Sequence, residues 1–503
     1  MAFEPIYETI KSDDRRWING TPTTLSAVMH PPMGTGIVKV LSYDVSAVVL
    51  GGEAFTGEAR YEGRADFTVL FVTDNGSVDK ASESVSFSGK IASNSVTAGS
   101  PLVFHAETQE VSVAQATSGE LRLSASVGVC VAATESKSVK ALSSALGAYP
   151  RYGMAEFTAL VCSDVKKLEV ECEIPFHGAV KLIKSSSVAV LSRVEAMQDC
   201  VRVRGEVIIN LIGLNANGLP VAARFVKELD EEVAALGSLA NMEALAKATV
   251  TSKEAQAFEG ENGTCVKFSA EVEIAYSVFG LGATSVALDL FCLDKELSYK
   301  RERFDFSKKV GFTQFCDTLD GAVSLSEGMP DIDSVACCDG FSLLVTGSRL
   351  EGKSLTVEGL VTGSVLYLSD YGETVNSLSV SLPFVTETTV DREVTSASVF
   401  GVIKSVSCRA RRGSELEIRA EASFCVECFG SVGLDLITGV TEGEAIPMRD
   451  TAMVVHIGYR GEELWEVARA MRCAPNEIAE QNAALEFPLS GGERVLLYRK
   501  ISR

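Results

Sequence analysis

Few residues in this chain carry types and spacings that suit chemistry. Cys425 and Cys428 form a C-x-x-C, a pattern used for zinc or thiol redox work. No second C-x-x-C accompanies it, and an offset of three along a strand sends the two thiols to opposite faces. Cys337-Cys338 points two ways for the same reason. The four histidines, His30, His105, His177 and His456, lie far apart and make no metal or triad spacing. G-x-S-x-G, H-E-x-x-H and the phosphate-cradling G-x-x-x-x-G-K-[ST] are all missing from the sequence. The expectation is a protein that is not an enzyme and uses no cofactor or metal. What remains is a C-terminal group with binding character: Gly461, Glu462, Glu463, Leu464, Trp465, Asn482 and Gly492. Trp465 offers a large ring with a polar edge, and the glutamates offer either helix-dipole compensation or charge to a basic partner.

The elements that must position this group follow from periodicity. Met453 to His456 read as a short strand, and Gly461-Glu462-Glu463 then opens a helix. Leu464, Val467, Ala468 and Met471 form one apolar helical face. Pro475 suits the first turn of a second helix, on which Ile478 and Asn482 lie four apart. Ser490-Gly491-Gly492 is a turn and Val495-Leu496-Leu497 a closing strand. The predicted order is β-α-α-β.

Upstream, the chain repeats. Gly63, Gly205 and Gly359 are each followed after 13 residues by a turn glycine, Gly76, Gly218 and Gly372. Apolar strands lie between, and the polar clusters ending in the second glycine are hairpin signals. Further on, strands centred on Ala125, Ala270 and Ala420 alternate apolar and polar residues, the pattern of a sheet with one wet face. The distances from first glycine to central alanine are 62, 65 and 61 residues. Since the first glycines are 142 and 154 residues apart, the repeat is a whole domain. The predicted fold is mainly β: three tandem antiparallel β-domains, sandwich or open barrel, at 1–136, 137–280 and 281–435. A linker at 436–451 and the βααβ domain at 452–503 follow. Glu231–Ala248, rich in Glu, Ala and Leu, is the best candidate for a helix within the β region.

Charge narrows the partners. The chain of 503 residues carries 46 basic and 67 acidic residues, a net −21, which disfavours nucleic acid and anionic membranes. From 452 onward acids and bases balance, so the surplus lies on 1–451. No apolar run is long enough for a membrane span. The first residues show no secretory signal pattern, so the expectation is a cytoplasmic protein with reduced thiols.

The tail resembles a LysM module. Gly461-Glu462-Glu463-Leu464-Trp465-Glu466-Val467-Ala468 matches the family's Gly-Asp-Thr-Leu-Trp-x-Ile-Ala. Ile478 and Asn482 match its second helix, and Gly492-Glu493-Arg494-Val495-Leu496-Leu497 its closing block. The family's Asp-Thr is Glu462-Glu463 here, and its terminal proline is Tyr498. Repeated β-domains followed by one LysM resemble the SipL-like family of clostridial spore-coat morphogenetic proteins. Leu382-Pro383-Phe384 and Ile174-Pro175-Phe176 fit that pattern. The resemblance implies a scaffold of spore-coat assembly in the mother-cell cytoplasm, at the forespore surface. Its LysM would engage a SpoIVA-like coat morphogenetic ATPase, and its β-domains could self-associate through strand edges. The alternative is a LysM binding peptidoglycan or N-acetylglucosamine chains in wall or cortex.

Overall fold

The computed structural model describes residues 3–31, 36–115, 120–260, 263–447 and 452–498. The chain is mainly β, with every strand pairing antiparallel. The first set of strands is β1 (Glu4–Asn19), β2 (Thr23–Met29), β3 (Ile37–Phe55), β4 (Glu58–Thr73), β5 (Val78–Ala92), β6 (Leu102–Gln115) and β7 (Leu121–Leu146). The second is β8 (Tyr149–Pro175), β9 (Lys181–Met197), β10 (Cys200–Leu214), β11 (Pro220–Ala234), β12 (Glu243–Gly260) and β13 (Gly263–Phe291). The third is β14 (Lys295–Ser324), β15 (Ser334–Glu351), β16 (Ser354–Ser369), β17 (Thr374–Thr389), β18 (Ser396–Arg411) and β19 (Glu415–Ala445).

Each set makes the same two sheets. One is a meander, in the orders β3-β4-β5, β9-β10-β11 and β15-β16-β17. The other places the last long strand between the first and the fifth: β12-β13-β8, β14-β19-β18, and β6-β7 with β1 and β2. In the first set the leading strand is broken at Gly20, so β1 and β2 share β7 end to end. The three hairpin turns predicted from Gly76, Gly218 and Gly372 join β4 to β5, β10 to β11 and β16 to β17, each turn glycine at positive φ.

The repeat glycines are explained by a shared close approach. A methyl group on Gly205 would lie 2.1 Å from the Val190 carbonyl oxygen, and one on Gly359 would lie 2.2 Å from that of Leu344. One on Gly63 would strike the Phe87 ring at 2.4 Å. In all three sets the neighbouring strand shifts register by one residue beside this glycine, a β-bulge that drives its carbonyl inward. The cross-strand partner is Phe87, Leu229 or Phe384, and the Phe87 and Phe384 rings lie over the space left by the missing side chain. Gly205→Ala is expected to cost about 1–3 kcal/mol, because the obstructing atom is backbone and cannot rotate away. Urea unfolding checks this, and Gly52→Ala would be a poor control, since it meets the Phe104 ring; Gly57→Ala, with nothing within 4 Å, separates φ strain from collision.

The three sets meet one another around a common centre. Leu70, Ile212 and Leu366, at the same offset beyond each repeat glycine, share one apolar cluster. Ala141, Val286 and Leu436, at the same offset beyond each central alanine, share another. Their neighbours Leu142, Ala287 and Ile437 share a third. Each set therefore sends out a two-stranded ribbon, the outer parts of β1–β7, β8–β13 and β14–β19, and the ribbons bury their apolar faces on each other. The arrangement has pseudo-threefold character, and it lets a single chain build the kind of core that a symmetric trimer builds.

Two expectations are corrected by this. Residues 436–445 continue β19 instead of forming a linker, and Leu436 and Ile437 are fully buried between ribbons. The expected unit limits at 136, 280 and 435 accordingly fall inside β7, β13 and β19. The part of the linker at 448–451 lies outside the described residues. Glu231–Ala248 is not a helix: it is the end of β11, a turn, and the start of β12. Val233, Ala244 and Leu245 bury there against sheets, and tertiary burial outweighs a helix propensity worth only tenths of a kcal/mol per residue, roughly 0–0.7.

The chain ends in β20 (Met453–Ile457), α1 (Leu464–Met471), α2 (Pro475–Gln481) and β21 (Arg494–Tyr498), with β20 and β21 paired. This is the predicted β-α-α-β order. Among the described residues no helix is long and apolar enough to cross a membrane.

Candidate functional site

The C-terminal group is spread over three surroundings. Gly461 and Gly492 lie in the loops that flank the two helices, both at positive φ. These loops hydrogen-bond to each other. Gly458 N donates to Glu493 O and Gly492 N to Gly458 O, both at 2.8 Å. Gly461 N donates to Leu489 O at 2.8 Å, and Leu489 N to Glu462 O at 2.9 Å. Backbone groups that would otherwise face a ligand are thus used within the fold.

Glu462 is buried, only 2% exposed. Its carboxylate contacts His456 Nε2 at 2.9 and 3.0 Å and accepts the Tyr459 N–H at 3.1 Å. It closes the loop from inside. Asn482 is also structural in placement: its amide nitrogen donates to Ile478 O and Leu496 O, and its oxygen accepts the Leu496 N–H. That triple bond set ties the end of α2 to β21.

Glu463, Leu464 and Trp465 face the rest of the chain. Glu463 caps α1, and its backbone N–H donates to Glu466 at 3.0 Å. Its carboxylate pairs with Arg151 of β8 at 3.1 Å. The Trp465 indole N–H donates to Tyr149 O at 2.9 Å, and its ring meets Phe291 edge-on at 5.4 Å. Leu464 packs into the same cluster. Arg469 reaches Asp289 at 2.6 Å. The helical side of the βααβ segment is therefore seated on the tip of the β8–β13 ribbon.

The opposite side is open. Side chains alternate along β20, and Met453, Val455 and Ile457 point outward at 48%, 45% and 68% exposure. Val455 pairs with Leu496 and Met453 with the exposed Tyr498 on β21. The result is a contiguous apolar face on a two-stranded sheet. Sequence reasoning missed this face; alternation in a five-residue strand is too short to say which side meets the helices.

Sequence reasoning also missed a polar cluster at the centre, because its members are scattered over the whole chain. Ser277 and Glu427 occupy equivalent positions in β13 and β19, where the first set has Ala132. Arg15 of β1 bonds both: its guanidinium is 3.3 Å from Glu427 and 2.8 Å from Ser277 Oγ. Trp17 Nε1–H donates to Glu427 at 2.8 Å. Beside them the Lys247 ammonium lies 4.4 Å from the Phe400 ring centre and 5.3 Å from that of Trp17. It is buried with no hydrogen-bond acceptor among the described residues. Burial pulls Lys247 down to about 8, against the opposing attraction of the Glu427 carboxylate. Burial and the Lys247 charge also hold His105 well below its usual range. Cys130 and Cys425 are pushed up to about 12, chiefly by burial.

This chemistry is one of suppressed charge. Thiols held at about 12 are not thiolates at neutral pH and are poor nucleophiles. A cavity of about 290 Å³ adjoins the cluster, lined by β3, β6, Lys247 and Glu273, and the Lys247 nitrogen itself is buried. Because the folded lysine binds its proton less tightly than the unfolded one, stability rises with pH from about 8 toward the ordinary lysine value. Lys247→Met is expected to flatten that rise and to stabilise the chain by about 1–3 kcal/mol at pH 7. Urea midpoints at pH 7 and 9.5 check both.

Among the described residues no cluster of three or more His, Cys, Asp or Glu is arranged to hold a metal ion. In comparisons with family models, curated proteins and solved structures, the chain matches none.

Proposed function

We propose that this chain is a non-enzymatic assembly scaffold: three tandem β-domains carrying a LysM-like βααβ head that binds a protein. The observation that carries the reading is the open apolar face of Met453, Val455, Ile457 and Tyr498, a surface suited to protein contact. The mutual hydrogen bonding of the two flanking loops favours it over glycan binding, because the backbone groups there are already paired. On the SipL-like resemblance, the partner is a SpoIVA-like coat morphogenetic ATPase and the place is the mother-cell cytoplasm at the forespore surface. The acidic body would keep the free scaffold soluble and steer it toward basic patches.

The test uses the full chain and a Val455→Glu, Ile457→Glu double variant. Binding to the purified coat ATPase is expected to weaken by roughly a hundredfold in the variant, since two charges enter an apolar contact. Neither protein should be retained on purified peptidoglycan. Retention on peptidoglycan, or equal binding of variant and parent to the ATPase, would overturn the reading.

A further inference from the structure

The third set of strands holds two thiols in near contact. Cys338 of β15 and Cys408 of β18 have their sulfurs 3.2 Å apart, closer than an ordinary contact between two sulfur atoms. The two strands belong to different sheets, and each is the outer strand of its sheet. Both sulfurs sit within one apolar cluster with Val335, Phe341, Val406 and Ala410. Both residues are half-buried. The equivalent positions are Tyr43 and Val113 in the first set and Ser185 and Ala255 in the second. Only the third set is equipped this way.

We infer that Cys338 and Cys408 are a redox-modifiable pair that closes into a disulfide, stapling the two sheets of the third set. The sulfurs need to approach by only about 1 Å to reach bonding distance, and each is already beside its partner. The thiol of Cys338 hydrogen-bonds to Cys408 and holds it below the usual thiol range, while the same bond and burial hold Cys338 above it. Either sulfur can donate in this contact; with Cys338 as the donor, Cys408 is the sulfur that attacks. With a peroxide as oxidant, the Cys408 thiolate attacks one oxygen and the O–O bond breaks, giving a sulfenic acid and, after protonation, water. The Cys338 sulfur then attacks the Cys408 sulfur. The S–O bond breaks, a second water leaves, and the Cys338 proton goes with it. Two thiols and one peroxide become one disulfide and two waters. The bond would span 70 residues of sequence and limit the opening of the third set.

The test oxidises the full chain with hydrogen peroxide and maps its thirteen cysteines by peptide mass spectrometry without reduction. A Cys338–Cys408 linked peptide is expected, formed roughly tenfold faster than any other pairing and released by dithiothreitol. Cys408→Ser and Cys338→Ser should each abolish it, and the oxidised parent should melt at a higher temperature than the reduced one. If both thiols remain open to alkylation after the exposed Cys316 is oxidised, the inference fails. It fails equally if Cys338 pairs instead with Cys337, or if the link forms only in urea.

Discussion

Lys184→Met is expected to destabilise the chain by about 3–5 kcal/mol near neutral pH, the usual cost of removing one partner from a buried ion cluster. Lys184 of β9 lies 2.9 Å from Asp44 of β3 and 2.7 Å from Asp339 of β15. Ser42 Oγ–H donates to Asp339 at 2.6 Å. One strand from each set thus supplies a member, and the side chains of Lys184 and Asp339 are only 6% and 4% exposed. Burial alone would lower Lys184, but Asp339 and Asp44 overcome it and hold the ammonium above its ordinary range. A raised lysine keeps its full contribution below the ordinary lysine value and loses it only in strongly alkaline solution. In the variant Asp44 and Asp339 lose the cation that bridges them, and Lys253 is left as the charge that still attracts Asp44. Repulsion between the two carboxylates favours protonation of one of them, so the loss should shrink as pH falls toward the carboxylate range. Urea midpoints at pH 5 and pH 8 test this. Equal destabilisation at both would mean that lost packing, not charge, dominates.

Glu427→Ala should cost a similar amount, about 3–5 kcal/mol, at the other polar centre. It strands Arg15, whose side chain is 4% exposed, and removes the acceptor of the Trp17 indole. It also takes a negative charge from beside Lys247, so that ammonium becomes still harder to keep buried. The pairing of Arg15→Met with Glu427→Met should cost much less than either single change, because no buried charge is left over. A double-mutant cycle measured by urea unfolding decides it. Additive losses would show that Arg15 and Glu427 act independently.

Both predictions concern contacts between strand sets, and that is where the sequence was silent. The repeat itself was legible. Two glycines and an alternating strand recurred at nearly constant spacing, and the structure returned three hairpins and three long strands at those places. The β-α-α-β order of the tail was legible too, from the helical face of Leu464, Val467, Ala468 and Met471. The expected linker was not, because a ribbon that buries Leu436 and Ile437 against two other ribbons reads locally as a short polar stretch with glycines. Arg15, Ser277 and Glu427 could not be grouped either, because Ser277 and Glu427 lie 262 and 412 residues along the chain from Arg15.

For the binding group, Gly461, Glu462, Glu463, Leu464, Trp465, Asn482 and Gly492 were selected by type and order. The tertiary structure sorted them: Glu462 and Asn482 inward, Trp465 and Glu463 onto the β8–β13 ribbon, and an apolar face on β20 and β21 outward. By itself, then, the sequence determined the antiparallel β character, the threefold repetition and the local turns. These depend on residue period and backbone preference, which act over a few neighbours. Only the tertiary structure decided which faces are covered, where the three sets touch, and which charges are driven together, because those depend on contacts between residues hundreds of positions apart and on the water excluded when they meet.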